Sequence, residues 1–179
     1  MTVDDKDIVK MLRAPETRRQ GFASMVRQYS ELLYWKIRHF VLYHDDADDI
    51  LQNVFLKAWT NLDGFKGDAK LSTWLYRIAV NESLDFLRRQ KTTLQADQDV
   101  SVAQHLMADE YFDGDAAEAL LQEAIATLPE MQRAVFVLRY YDEMKYADIS
   151  KMFDRTEGAL KASYHIAMQK ISEYIKHRD

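Results

Sequence analysis

Long helical runs with almost nothing to interrupt them constrain this chain more than any other feature. Only 5 glycines and 2 prolines occur in 179 residues. That is far below average usage, so long regular helices are expected and strand-rich folds with many turns are not. From Phe22 to Phe40, apolar residues recur at Phe22, Met25, Val26, Tyr29, Leu32, Leu33, Ile37 and Phe40, the three-and-four spacing of one helix face. The acidic cluster Asp45, Asp46, Asp48, Asp49 suits the positive end of a second helix. That helix is expected to bury Ile50, Leu51, Val54, Phe55, Ala58 and Trp59 and to run out at Asn61–Gly64. The loop Gly64-Phe65-Lys66-Gly67-Asp68 follows, with two glycines as turn signals. A third helix opens near Ser72, carries Trp74, Leu75, Ile78, Ala79, Leu84 and Leu87 inward, and ends in Arg88-Arg89-Gln90-Lys91.

Residues 92–115 lose this periodicity and gain Asp, Gln, Thr and Ser, which predicts a solvated linker with room for a short helix. Helical patterning resumes near Ala116. One helix over Leu120–Thr127 stops before Pro129, since the residue preceding proline disfavours helical geometry. A second covers Glu130–Tyr141 with Val135, Leu138 and Tyr141 inward. Lys145–Phe153 and Thr156–Lys176 then form a pair separated by a tight turn. The expected fold is all-α: two small helical domains, 1–91 and 116–179, joined by an acidic linker, 92–115. A hydrophobic fraction of 47% is enough to fill both cores.

The net charge of −5 is unevenly spread. Residues 1–91 sum to +2, residues 92–119 to −7 with no Lys or Arg, and residues 120–179 to zero. The acidity is therefore central, and overall charge neither supports nor excludes nucleic acid as a partner. The absence of Cys removes disulfides and thiolate metal sites and fits a reducing interior. No segment reaches the ~18 apolar residues of a membrane span, and the acidic, amphipathic start is unlike a signal peptide. A cytoplasmic protein without membrane insertion is expected.

Three stretches carry candidate chemistry. In the last pair of helices, Leu160, Tyr164, Ala167 and Ile171 form one buried stripe, with Thr156 as N-cap and small Ala147 where a neighbouring helix approaches. Glu157, Lys161, Ala162, His165 and Gln169 lie opposite. A recognition helix needs this division, because polar and small residues must enter a groove about 12 Å wide; an ordinary helical hairpin has the same periodicity. The stretch Asp46–Trp59 leaves Asp48, Asp49, Gln52 and Asn53 exposed, fit either to dock a partner helix or simply to face water. The stretch Leu71–Arg89 interleaves Trp74, Tyr76 and Phe86 with Arg77, Arg88 and Arg89, after Lys66 and Lys70. Aromatics stack on unpaired bases while cations follow phosphates. Taken singly, Trp74 also suits a core, and Arg88 with Arg89 a helix C-terminus.

In this order and spacing the stretches resemble the extracytoplasmic-function branch of the bacterial sigma-70 factors. That family carries D-A-E-D-L-x-Q-x-x-F, similar to Asp46–Phe55, then W-L-x-x-I-A-x-N, similar to Trp74–Asn81, and a basic helix end like Asp85–Arg89. Its second domain carries L-P-x-x-x-R-x-V-F-x-L-R, similar to Leu128–Arg139, before a helix-turn-helix. The resemblance implies a non-enzymatic specificity subunit that binds core RNA polymerase and promoter DNA, uses no cofactor or metal, and is restrained by an anti-sigma factor. It implies polymerase contacts at Asp48, Asp49, Gln52 and Asn53, with Phe55 and Trp59 supporting them from inside. It places the −10 element on Phe65, Lys66, Trp74, Arg77, Asn81, Asp85, Arg88 and Arg89, and the −35 element on Thr156, Glu157, Lys161, Ser163, His165 and Lys170. One departure stands out: the family's recognition helix has two Arg where this chain has Ser163 and Ile166, so those contacts do not transfer. A one-component repressor would not explain residues 46–89. A carboxylate metalloenzyme lacks the Glu-x-x-His pairs it needs, and a sigma-like adaptor without DNA contact is the remaining rival.

Overall fold

The computed structural model describes residues 2–90 and 102–178, and within these every regular element is a helix. The first ten residues of the expected linker, 92–101, lie outside the described residues. The chain folds into two compact units, one of Met1–Ile37 with Asp45–Ser83 and one of Arg38–His44 with Leu84–Asp179.

In the first unit, α1 (Asp5–Arg13) is capped by the Asp4 carboxylate, which accepts from the Lys6 N–H at 3.0 Å. Asp5 and Asp7 open it and Lys10 and Arg13 close it, each sign matched to the helix dipole. Its Ile8 and Leu12 are buried against α2 (Arg18–Arg38), whose inward residues Met25, Tyr29, Leu33 and Ile37 repeat every fourth position. Gly21 permits the close approach. A Cβ there would stand 2.8 Å from Met11 Cβ and 3.0 Å from the Leu12 backbone nitrogen. Tyr29 donates its hydroxyl proton to Asp5 at 2.6 Å, and burial together with that carboxylate pushes the phenol up to about 12.

α3 (His44–Thr60) buries Ala47, Ile50, Val54, Phe55 and Ala58. Trp59 departs from the sequence expectation: it is 40% exposed, packed edge-on against Phe22 at 5.0 Å rather than enclosed. A single 3-10 turn, Leu62–Gly64, leads into a loop and then α4 (Leu71–Gln90), which buries Leu71, Leu75, Tyr76, Ala79 and Val80. Glu82 of α4, 5% exposed, forms an ion pair with Lys57 of α3.

In the second unit the acidic segment contains α5 (Val102–Ala108), which packs on α6 (Ala116–Ala126) through the fully buried Leu106. Residues 102–108 are thus built into a core, not merely solvated. Buried Glu123 of α6 organises the neighbourhood. It accepts from the Ala103 N–H at 2.6 Å, from the Tyr174 hydroxyl, and from Arg178 at 2.9 Å. Pro129 begins α7 (Glu130–Tyr140), whose Ala134, Val135, Phe136, Val137 and Leu138 are all buried. Arg133 is held by the Ala126 carbonyl, and burial brings its guanidinium down to about 10. Then come α8 (Tyr146–Phe153) and α9 (Glu157–Lys176), with α9 packed on α6, α7 and α8. Among the described residues no helix is long and apolar enough to cross a membrane.

Gly21→Ala is expected to lower the thermal midpoint. The overpacking cost of ~1–3 kcal/mol outweighs the ~1 kcal/mol gain in helix propensity. Gly64→Ala, with nothing within 4 Å of the added carbon, is expected to leave the midpoint within a degree or so, about the effect of a surface change. Paired melts by circular dichroism check both.

Candidate nucleic-acid interface

Burial of one side of α4 fixes what the other side presents. Trp74, Arg77, Asn81, Asp85 and Arg88 follow one another by three or four residues and so share a face; Arg77 and Asn81 on it are exposed, while Leu75, Ala79 and Val80 are buried. Tyr76 is only 8% exposed and lies under the Lys36 ammonium at 4.3 Å, so it is a core aromatic and not a stacking platform. Half-buried Trp74 meets half-buried Phe65 from the preceding loop at 4.9 Å, tilted 39°. That loop is pinned from below, because Arg13 donates to the Lys66 carbonyl at 2.9 Å while the Lys66 residue itself stays exposed. Gly67 adopts φ +80° beside it, where a Cβ would come 2.6 Å from the Arg13 guanidinium. Phe65 and Trp74 thus meet beside Lys66 at the start of the α4 face that carries Arg77 and Asn81.

The basic end of α4 is arranged differently. Arg88 donates through Nε to both Glu130 carboxylate oxygens, at 2.8 and 2.9 Å, and through Nη1 to Asp85 at 2.8 Å. The Glu130 contact is the main reason its pKa is raised. Arg89 donates to the Asp85 carbonyl at 3.4 Å. Both arginines are exposed, but Arg88 already carries the charge-assisted fork geometry that a phosphate would otherwise accept. The Glu130 partner lies 42 residues away in sequence, beyond any local pattern.

On α3, Asp49, Gln52 and Asn53 are exposed and Asp48 half-buried, with Gln52 donating to Asp48 at 3.2 Å. Asp46 beside them is raised in pKa, by burial first and then by Asp49 and Asp45. Sequence reasoning missed the apolar continuation of this face: Leu56, four residues after Gln52, is 64% exposed, and Trp59 follows at 40%. The available signal was Leu56 itself, an apolar residue in phase with the polar side.

In the C-terminal pair, Ile149 of α8 is fully buried and Ala147 exposed, so the close packing falls two residues later than the sequence suggests. Asp154 takes the left-handed conformation, φ 51° and ψ 51°, and its N–H reaches the Ser150 carbonyl. Thr156 then caps α9, accepting from the Ala159 N–H at 3.2 Å. A three-residue turn between two packed helices, the second with Leu160, Ala167 and Ile171 buried, is helix-turn-helix geometry. Glu157, Lys161, His165 and Lys170 are exposed; Ser163 is half-buried on the flank rather than outward. Tyr146 gathers cations, with the Arg139 guanidinium 4.5 Å and the Lys161 ammonium 5.7 Å from its ring. Among the described residues no group of three His, Asp or Glu is placed to hold a metal.

Comparison with known proteins places two family models on this scaffold. Sigma-70 region 2 matches residues 25–93, covering α3, the loop and α4, and Sigma-70, region 4 matches residues 118–171, covering the helix-turn-helix. The ECF RNA polymerase sigma factor SigW of Bacillus subtilis is 30% identical over 169 residues, 88% of this chain and 90% of that protein. The ECF RNA polymerase sigma factor SigM of Mycobacterium tuberculosis is 34% identical over 145 residues, 80% and 71% of the two chains. Among solved structures, CnrH in complex with the cytosolic domain of CnrY shares the fold at TM-score 0.68 and 21% identity, covering 98% of this chain and 99% of that one. The sigma factor RpoE of Bartonella quintana, solved with the anti-sigma factor NepR, does so at 0.65 and 24%, covering 87% and 96%.

Thr156→Ala removes the side-chain acceptor at the start of α9 and is expected to cost about 1 kcal/mol. Urea unfolding followed by tyrosine fluorescence measures it, with Thr156→Asn expected to restore most of the loss.

Proposed function

Since the chain belongs to the extracytoplasmic-function branch of the sigma-70 family, and so acts as a sigma factor in promoter-specific transcription initiation by RNA polymerase, we propose a division of that work among its three faces. The observation carrying the proposal is the shared, outward face of α4 beside a pinned loop. A rigid helix supplies Arg77 and Asn81 at fixed spacing, while Phe65, Lys66 and Trp74 border a place where an unpaired base can be received. Unstacking a base costs a few kcal/mol, and aromatic stacking returns about 1–3 kcal/mol per base. Residues 1–91 therefore hold the −10 element and assist its melting, with Asp85, Arg88 and Arg89 along its upstream duplex edge. For Arg88 this requires exchanging Glu130 for phosphate.

Asp48, Asp49, Gln52 and Asn53 on α3 form the polymerase-binding face, and exposed Leu56 and Trp59 give it an apolar centre of the kind found in stable protein interfaces. Residues 116–179 read the −35 element through α9. Thr156, Glu157, Lys161 and His165 lie at or near the base edges, Ser163 at the flank, and Lys170 along the phosphates. The segment 92–115 is the acidic connector. The protein works in the cytoplasm, where polymerase and DNA are, and contributes binding rather than catalysis, since nucleotide chemistry belongs to the polymerase. An anti-sigma factor is part of the reading, in keeping with the RpoE relative bound to NepR.

Asp49→Lys combined with Gln52→Ala is expected to abolish co-purification with core polymerase while leaving the helical circular-dichroism signal unchanged. Retained co-purification removes α3 from the interface. Replacing Lys66, Arg77 or Asn81 with Ala is expected to cut permanganate reactivity of −10 thymines about tenfold, the effect of losing one charge-assisted contact of ~1.5 kcal/mol, with core binding preserved. Reactivity at the wild-type level in all three variants rejects the α4 assignment.

A further inference from the structure

The outward side of α9 is not uniformly polar. Its buried stripe, Leu160, Ala167 and Ile171, sets the orientation of the helix. By helical geometry Gly158, Ala162, His165 and Gln169 then point farthest from the core. Lys161 lies on one flank, with its ammonium drawn over Tyr146. The other flank carries Ala159, Ala162 and Ile166, at i, i+3 and i+7, all exposed, with Ile166 41% accessible. A stripe of methyl groups therefore runs along the first three turns of the second helix of the helix-turn-helix, bordered by His165, Gln169 and Lys170.

Exposed Ile166 thus sits between polar neighbours on a helix-turn-helix surface. A protein partner is the weaker match, because two alanines and one isoleucine cover far less than the ~800 Å² per side that a stable protein interface buries. The major groove is a good match. Each thymine there presents a C5-methyl group, the one apolar feature among the base edges, and alanine and similar side chains pack against it. Ala159 and Ala162 are also small enough to let the helix backbone come close to the bases.

We infer that Ala162 and Ile166 read thymine C5-methyl groups, so that α9 recognises A·T pairs at two positions of its element by apolar contact. The inference rests on α9 being the −35 reader. Isoleucine can neither donate to guanine O6 and N7 nor accept from cytosine N4, so a G·C pair under Ile166 loses its groove water without gaining a partner. Specificity at these positions comes from methyl packing plus that penalty. Lys161 and Lys170 supply sequence-independent attraction to phosphate.

The test uses the full chain assembled with core polymerase. Randomised duplexes are first selected for binding, and each thymine of the enriched upstream element is then replaced singly by deoxyuridine, which removes only the methyl group. At two positions this substitution is expected to weaken competition binding by the wild-type protein about fourfold, the value of one buried methyl-sized contact. Ile166→Ala, at an exposed site, is expected to abolish the thymine–uracil difference at one of those positions and leave the other intact. Lys161→Ala is expected to weaken thymine and uracil duplexes equally and to reduce the salt slope by about one.

Thymine and uracil duplexes bound alike by the wild-type protein would overturn the inference, as would a thymine preference that Ile166→Ala leaves untouched. If Glu157, His165 and Ile166 can each be changed without altering the selected upstream sequence, the assignment of α9 to the −35 element falls, and the inference with it. If they alter the selected sequence but no methyl effect is found, only the inference falls. Loss of a bound protein from Ile166→Ala with DNA selection unchanged would mark the stripe as a protein-docking surface and overturn it equally.

Discussion

Burial of Leu75, Ala79 and Val80 along α4 sets what the opposite face of that helix presents to solvent. A helix that commits one face to a core has its opposite face assigned by geometry, since positions three and four apart lie together. Arg77 and Asn81 are therefore aligned by the packing of residues buried on the other side of the helix. The same constraint acts on α9, where Leu160, Ala167 and Ile171 anchor the helix and leave Lys161, Ala162, His165 and Ile166 outward. Precise presentation on rigid elements is what discrimination between bases requires.

Among the described residues the buried carboxylates Glu82 and Glu123 each meet partners. Glu82 meets Lys57, and Asp5 receives Tyr29 and Gln28. Glu123 collects the Ala103 N–H, Tyr174 and Arg178. A buried carboxylate without such partners costs several kcal/mol. Glu123 has a second consequence, because its contact with Ala103 ties α5 to α6 in the part of the chain where acidic composition argues against structure. The acidity there is compatible with a fold because Glu123 of α6 receives the Ala103 N–H and Leu106 supplies the apolar contact.

Net charge is a poor guide for a protein built this way. The excess acid lies in residues 92–119, outside the sequence of α4 and of α9. Cations are placed individually instead, with Arg77 exposed, Lys161 over Tyr146 and Arg88 in the Glu130–Asp85 clamp.

Sequence alone determined the helical class, the order of the long helices and most of the inward stripe of each, Leu32 at 49% and Trp59 at 40% exposed being the departures, because periodicity and the scarcity of Gly and Pro are local properties that tertiary contacts reinforce here. It also determined the family, through residues 46–89 and 128–139 taken together. Tertiary structure decided what each residue type was used for. Trp59 is half outside because Phe22 covers one edge of the ring, Tyr76 is inside beneath Lys36, and Ile149 rather than Ala147 meets the neighbouring helix. Arg88 is held by a carboxylate 42 residues away, and Lys161 leans on Tyr146 across the turn. None of these has a periodic signature. Periodicity reports which face a residue lies on, whereas the partner it finds there depends on side chains that only folding brings within a few ångströms.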